Sequence, residues 1–167
     1  MSPQEQIESL IADRNIEVIW QDVNPLNGCY LVEAPGISPW ELIITLATIE
    51  KTVGIQVAPG DVGSGKLILP RPNGQLSYWI CLHEIGHKMM GHGWKDLSTD
   101  LVATELEAWI WAHKHTLVDV VEPVRDYIAK AIRGYRRQQL VTDRARSVTE
   151  EFCQRTNIQP QEVGLDV

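Results

Sequence analysis

The segment His83-Glu84-Ile85-Gly86-His87 places two histidines four residues apart inside an apolar stretch. In a helix this spacing puts both imidazoles on one face, one turn apart, where they can bind one metal ion. Glu84 lies beside that face, which is the position of a general base for a metal-activated water. A solvated helix face or a structural metal site is the alternative. Since the flanks are apolar and all five histidines lie between His83 and His115, the pattern predicts a catalytic zinc (Zn2+) site.

A third ligand must follow, because catalytic zinc commonly has three protein ligands and an open position for water. The downstream candidates are His92, Glu105, Glu107, His113 and His115. Glu105 and Glu107 are two residues apart, so a helix points them about 200 degrees apart and only one can face the histidines. Glu105 shares its stripe with apolar residues, where a carboxylate is costly unless a cation compensates it. The pattern favours Glu105 and leaves Glu107 as the alternative.

Length and composition indicate one ordinary globular domain. The chain has 167 residues, 44% hydrophobic and 22% charged, which is enough to bury a core without disulfides. A net charge of −7 and a pI near 5.2 argue against general affinity for nucleic acid or anionic membranes. The three cysteines show no metal or disulfide spacing. The N-terminus lacks signal-peptide features and no apolar run could span a bilayer, so we expect a cytoplasmic protein.

The order of predicted elements is that of an α+β fold. A helix should begin at Ser2-Pro3 and end before Asn15, and strands at 16–20 and 29–33 could pair as a hairpin through a turn at 24–28. Ser38-Pro39 should cap a helix that ends near Gly54. Later helices are expected at 76–90, from about 100 to 117, at 123–137 and at 142–156. We divide the chain into a core at 1–122 and a C-terminal helical extension at 123–167, packed on the same domain.

A short strand is predicted over Lys66, Leu67, Ile68 and Leu69. The preceding loop, 59–66, resembles a phosphate loop in part, but Leu67 stands where the Walker pattern needs Ser or Thr, so it is interpreted as an ordinary flexible loop. We expect the strand to lie at a sheet edge beside the metal helix. There it could bind an extended peptide substrate by strand addition.

The two motifs together resemble the ImmA/IrrE family of zinc metallopeptidases: His-Glu-Ile-Gly-His, followed some eighteen residues later by Glu105-Leu106-Glu107-Ala108. The resemblance spans roughly residues 1–117 and implies a zincin-like fold. It assigns His83, His87 and Glu105 to the metal and Glu84 to the general base. The chain departs from the family at Trp109, where asparagine is common, and at Met89-Met90-Gly91-His92, which is one residue longer than the family's Leu-Leu-His.

The resemblance implies a protein substrate, a helix-turn-helix repressor or a related regulator of a mobile element or stress response. One alternative is a catalytically silent zincin-fold module that acts as a toxin, antitoxin or anti-repressor partner. Another is binding of nucleic acid or an acidic partner through the basic C-terminal helices, although a solvated face explains such charges more simply. The basic residues concerned are Arg125, Lys130, Arg133, Arg136, Arg137, Arg144 and Arg146.

No side chain identifies itself from the sequence as the group that stabilises the oxyanion of the transition state. His113, His115 and Tyr78 are candidates, but each fits a packed or surface role better. The tryptophans Trp79, Trp109 and Trp111 are predicted to be buried, since large aromatics at helical spacing usually belong to a core. Cys81 is interpreted as a small apolar residue.

Overall fold

The computed structural model describes residues 1–21, 28–31, 36–138 and 140–165. Within these ranges the chain forms seven α-helices and a three-stranded sheet, which confirms the predicted α+β class. The helices are α1 (Pro3–Asp13), α2 (Pro39–Val53), α3 (Gln75–Met90), α4 (Trp94–Thr99), α5 (Leu101–His115), α6 (Glu122–Arg136) and α7 (Asp143–Thr156). The strands are β1 (Val18–Gln21), β2 (Cys29–Tyr30) and β3 (Leu67–Pro70), with short 3-10 turns at Pro59–Asp61 and Pro160–Val163.

Capping boxes fix the starts of α1 and α2 where the sequence predicts them. The Ser2 hydroxyl accepts a hydrogen bond from the Glu5 backbone N–H at 3.2 Å, and the Glu5 carboxylate accepts one from the Ser2 N–H at 2.5 Å. Ser38 and Glu41 make the same reciprocal pair at the start of α2. Each pair satisfies amides that the first helical turn leaves without partners.

The sheet has the order β1-β3-β2, so the predicted hairpin between the first two strands is wrong. β1 runs parallel to β3, with Val18 opposite Leu67, and β2 runs antiparallel to β3, with Tyr30 also opposite Leu67. A parallel pair needs a long crossover, and α2 lies within the connection from β1 to β3. The expected turn at 24–28 falls almost entirely outside the described residues.

β3 is the central strand, so the predicted edge position of Lys66, Leu67, Ile68 and Leu69 is wrong. Leu67, Ile68 and Leu69 are fully buried, as expected for an apolar strand covered on both faces. With neighbours already bonded on both sides, β3 cannot receive a substrate strand along its length. The Lys66 ammonium lies 2.6 Å from Asp61 and 3.1 Å from Glu17, which ties the loop that precedes β3 to the sheet.

The main core forms where α3 meets both β3 and α5, and where α5 meets α7. Trp79 and Trp109 are almost fully buried and Trp111 is buried, as predicted. Ile128 and Ile132 of α6 belong to the same core cluster, so the C-terminal helices share one core with the helices that precede them. The short helix α4 was not predicted. In the described part of the chain, no helix combines the length and apolar character needed to span a membrane.

Candidate metal centre

The histidine pair lies on the buried face of α3, and α5 supplies a carboxylate opposite it. The Nε2 atoms of His83 and His87 are 3.1 Å apart, with ring centroids 4.6 Å apart in an edge-to-face arrangement. Glu105 Oε2 lies 3.1 Å from His83 Nε2, and Glu105 Oε1 lies 3.5 Å from His87 Nε2. The helical spacing of four residues therefore points both imidazoles at one carboxylate.

The glycine inside the motif allows α5 to approach. A Cβ atom on Gly86 would stand 2.9 Å from the carbonyl oxygen of Ala108 and 3.4 Å from its Cα. A Cβ atom essentially never lies within 3.0 Å of another residue's heavy atom, so the close backbone contact requires glycine at this position. Because Ala108 follows Glu105 by less than one turn, this close approach also sets the distance from Glu105 to the histidines.

The donor set fits a divalent cation. His83, His87 and Glu105 are buried, and each offers one ligand atom such that all three atoms lie within 4.8 Å of one another. Two neutral imidazoles and one carboxylate form a common zinc set that leaves a coordination position open. Burying a carboxylate is expensive without a compensating charge. Of the two glutamates considered from the sequence, Glu105 is the one that faces the histidines.

The charges of the three groups are strongly coupled. Burial, and then the neighbouring His87, lower the pKa of His83 to about 4. Burial also opposes a charge on His87, but the Glu105 carboxylate outweighs it and raises the pKa of His87. Burial disfavours the Glu105 anion as well, yet His87 and His83 hold the pKa of Glu105 well below its usual range. Glu105 is thus an anion and His83 a neutral imidazole at pH 7, the forms that bind metals.

Glu84 lines the same cavity as the three groups, a space of about 180 Å³. The pKa of Glu84 is raised to about 7. Burial is the main cause and the Glu105 charge acts in the same direction, while His87 and a hydrogen bond from the Tyr30 backbone N–H oppose them. Gly28 lies directly against this side chain, since a Cβ at Gly28 would stand 2.5 Å from Glu84 Cγ. The residues around β2 therefore orient Glu84.

Tyr135 completes the cavity and was not found from the sequence. It lies on α6, lines the cavity and donates a hydrogen bond to Glu105. The Glu105 charge, and then burial, raise the pKa of Tyr135 well above its usual value, so the hydroxyl keeps its proton. No motif spacing connects Tyr135 with the histidine pair, because Tyr135 lies 48 residues beyond His87 and on a different helix. On α6 it follows Ile128 and Ile132 at helical spacing, which places it on the face that packs against the core.

The other side chains considered from the sequence have different partners. The Tyr78 hydroxyl donates to Gln6 and accepts from the Leu117 N–H at 2.9 Å, so it joins α1 to the end of α5. His113 lies 6.1 Å from Trp79, centroid to centroid, and His115 Nδ1 lies 2.8 Å from the Trp111 carbonyl oxygen. Neither histidine is among the residues of the described chain that line the cavity. The Cys81 thiol is buried and donates to the Pro70 carbonyl, in keeping with a packed role.

His92 and Glu107 are not part of the triad, but they lie next to it. His92 Nδ1 is 2.9 Å from His87 Nδ1, and His92 Nε2 is 3.1 Å from Glu107 Oε2. Only 18% of the Glu107 side chain is exposed, and it is bound to both His92 and Arg144.

Six of the seven basic residues predicted to form a basic face, all except Lys130, fall into two groups. Arg125 pairs with Glu162, Arg146 with Asp143 and Arg144 with Glu107, at 2.8, 3.1 and 2.6 Å. A second group lines an open cavity of about 430 Å³ at the end of α6 and consists of Arg133, Arg136 and Arg137. Part of the predicted basic face is therefore neutralised within the molecule.

No protein-family model matches the chain, and neither curated proteins nor solved structures give a match. The site stands on its geometry alone. A histidine pair on one buried helix and a glutamate on a neighbouring buried helix form a candidate metal site consistent with zincin-like, metal-dependent hydrolases.

Proposed function

We propose that this chain is a zinc-dependent endopeptidase. The observation that carries the proposal is the convergence of Glu84 with His83, His87 and Glu105 in one buried cavity. A structural metal site needs only ligands. General-base hydrolysis also requires a carboxylate that lies beside the ligands without being one of them. Glu84 is such a carboxylate, and the Tyr30 backbone amide holds it.

His83, His87 and Glu105 would hold the zinc ion, which when bound supplies Lewis-acid polarisation of the peptide carbonyl and activation of water. Glu84 accepts the proton of the attacking water at its carboxylate and delivers it to the leaving amine. The pKa of about 7 for Glu84 suits both steps near neutral pH. The Tyr30 N–H keeps the carboxylate aimed into the cavity, and Trp109 stacks on His83 with centroids 4.0 Å apart, which orients that ring.

An extended peptide would approach along β2. Gly28 and Tyr30 line the cavity, and in the described sheet β2 is the edge strand on that side. An edge strand can bind an extended peptide as a further strand. Within Lys66 to Leu69, which the sequence predicted as the peptide-binding edge, residues Leu67 to Leu69 belong to the central strand instead.

The substrate proposal rests on the resemblance of the two motifs to ImmA/IrrE metallopeptidases. By that resemblance, the substrate is a helix-turn-helix repressor or a related regulator of a mobile element or stress response. Extended or locally unfolded segments of such a regulator would fit the β2 edge, because strand addition needs a segment without its own backbone partners.

The test combines metal content with proteolysis. Purified, untagged wild-type protein and the Glu84→Gln and Glu105→Ala variants are loaded with zinc, dialysed and measured by elemental mass spectrometry. The same proteins are incubated with a tryptic peptide library, and new termini are identified by mass spectrometry. We expect about one zinc per chain in wild type and Glu84→Gln, a strong loss in Glu105→Ala, and new termini from wild type alone.

Wild-type protein that binds no zinc would overturn the proposal. Zinc binding with equal cleavage by Glu84→Gln would overturn the role of Glu84. Zinc binding without cleavage of any peptide would favour the second candidate, a zincin-fold interaction module. The arginine-lined cavity of about 430 Å³ at the end of α6 is the observation that favours an acidic partner for such a module.

A further inference from the structure

The C-terminal turn of α3 places His92 against His87. Gly91 adopts the left-handed conformation (φ 69°), and the His92 backbone N–H then donates to the His87 carbonyl at 3.1 Å. The Gly91 N–H donates to the Lys88 carbonyl at 3.3 Å, which completes a Schellman ending. This turn brings the His92 ring back onto the helix, with its Nδ1 2.9 Å from His87 Nδ1. His92 is 4% exposed.

The contacts continue from His92 to two further helices. His92 Nε2 lies 3.1 Å from Glu107 Oε2 on α5. Glu107 accepts two hydrogen bonds from Arg144 on α7, from Nε at 3.1 Å and from Nη2 at 2.6 Å. The same guanidinium lies 3.7 Å from Asp100 and 3.9 Å from Asp96. A continuous polar chain thus joins the second motif histidine to the first turn of α7.

The direction of each hydrogen bond follows from chemistry. Arg144 only donates and an ionised Glu107 only accepts, so the bond from His92 to Glu107 must use a proton on His92 Nε2. When His92 is neutral, its Nδ1 is then the acceptor, and His87 must donate to it from Nδ1. In the neutral form of His87, which is the form that binds a metal, a proton on Nδ1 leaves Nε2 without one and facing Glu105, so this is the tautomer that can bind a metal through Nε2.

We propose that His92, Glu107 and Arg144 form a positioning relay that fixes the tautomer and ring orientation of His87 for metal binding. This inference rests on the proposed metal site, and it makes α7 a support of that site. Hydrogen-bond partners of metal-binding histidines commonly contribute 10–100-fold to metal affinity. His83 has a different arrangement: its Nδ1 finds no hydrogen-bond partner among the described residues, and its ring stacks on Trp109. His87 is thus the motif histidine whose binding should depend on hydrogen bonding.

The test measures zinc affinity by chelator competition, together with the visible spectrum of the Co2+-loaded protein. His92→Phe keeps the ring and removes the hydrogen bonds, and we expect its zinc dissociation constant to rise about 10–100-fold with a changed Co2+ spectrum. His92→Asn places an amide oxygen near the Nδ1 position, so it should recover a large part of the affinity. Circular dichroism and melting of the metal-free proteins show whether each variant folds.

A second pair of variants tests the far end of the relay on α7. Arg144→Gln should weaken zinc binding severalfold, although Arg144 is distant from the ligands in the chain. Arg146→Gln is the matched control. Arg146 lies on the same helix turn and pairs with the exposed Asp143, so this variant should leave the affinity unchanged. Arg144 is partly exposed, so Arg144→Gln should still fold. This pair therefore tests the relay even if His92→Phe fails to fold.

The outcomes separate the relay from the proposed function. Wild-type zinc affinity and an unchanged Co2+ spectrum in His92→Phe, or in Arg144→Gln where His92→Phe does not fold, would overturn the relay while the metal site stands. Equal weakening by His92→Phe and His92→Asn would also overturn it, because a purely steric role predicts no recovery. Absence of zinc binding in wild type would overturn the metal site and the relay together.

Discussion

The position that a Cβ atom of Gly86 would occupy lies 2.9 Å from the carbonyl oxygen of Ala108. The motif helix and the helix that carries Glu105 therefore touch backbone to backbone at this point. The contact makes Gly86 as important for the geometry of the site as the ligands that flank it, since any side chain here would separate Glu105 from the histidines.

Gly86→Ala should therefore destabilise the protein by about 1–3 kcal/mol, the usual cost of inserting a methyl group into a well-packed core. It should also weaken zinc binding, because α5 must move away from α3. Urea unfolding and chelator competition measure the two effects. Gly134→Ala in α6 is the matched control: a Cβ there meets no atom within 4 Å, so it should stabilise the protein by about 0.5–1 kcal/mol.

Gly28→Ala should impair catalysis more than metal binding. The new Cβ would lie 2.5 Å from Glu84 Cγ and 3.0 Å from Ile80 Cγ2, so the Glu84 side chain must move. The three atoms nearest to this Cβ belong to Glu84 and Ile80 and not to a metal ligand. Cleavage of the peptide library should fall strongly while the zinc content stays near one per chain. Wild-type cleavage by this variant would show that the Glu84 side chain adapts and that its position is not fixed by Gly28.

The stability of the metal-free protein should depend on pH through Glu84. Its pKa is raised from 4.5 to about 7 by burial, so the folded state holds this proton more tightly than the unfolded state. The corresponding stability is present below about pH 4.5 and is lost as the pH rises through about 7. Gln carries no charge, so metal-free Glu84→Gln should be more stable than wild type at pH 8, by up to roughly 3 kcal/mol.

Urea unfolding in the presence of a chelator, at pH 4.5 and pH 8, checks this expectation. The two proteins should have similar free energies of unfolding at pH 4.5 and diverge above it. An equal difference at both pH values would show that Glu84 is not desolvated in the folded protein, and that the variant acts through packing instead.

Tyr135→Phe should weaken zinc binding by up to about tenfold without unfolding the protein. The hydroxyl donates to Glu105, so its loss leaves that carboxylate less firmly oriented, while the ring still fills its place beside Ile128 and Ile132. Chelator competition measures the affinity. Wild-type zinc affinity in Tyr135→Phe would show that the hydroxyl does not orient Glu105 for metal binding.

The sequence predicted well those features that depend on neighbouring residues. The starts of α1 and α2 follow from Ser-Pro caps with glutamate three residues on, and the position of the histidine pair on α3 follows from helical spacing. The apolar stripe of α5 predicted that Glu105, and not Glu107, faces the histidine pair, and Glu105 does lie against it. In each case the physical cause lies within one or two helical turns, so the sequence alone contains it.

Features that depend on distant partners were missed or mistaken. The central place of β3 depends on which strands bond to it, and a buried apolar tetrapeptide gives no sign of that order. Tyr135 reaches Glu105 only because α6 folds back over the cavity. Glu107 shares a helix stripe with polar residues, and nothing in that stripe shows that His92 and Arg144 shield it. These errors share one cause: the partner lies more than a dozen residues away along the chain.

The order of the sheet also has a consequence for biosynthesis. Among the described residues, β1 and β2 each bond to β3, yet both precede it in the chain. Until Pro70 has emerged from the ribosome, both strands therefore lack their bonding partner. The motif helix begins only five residues later, at Gln75. The last strand of the sheet and the first ligand helix thus become available for folding almost together, and the edges of two strands stay open until then.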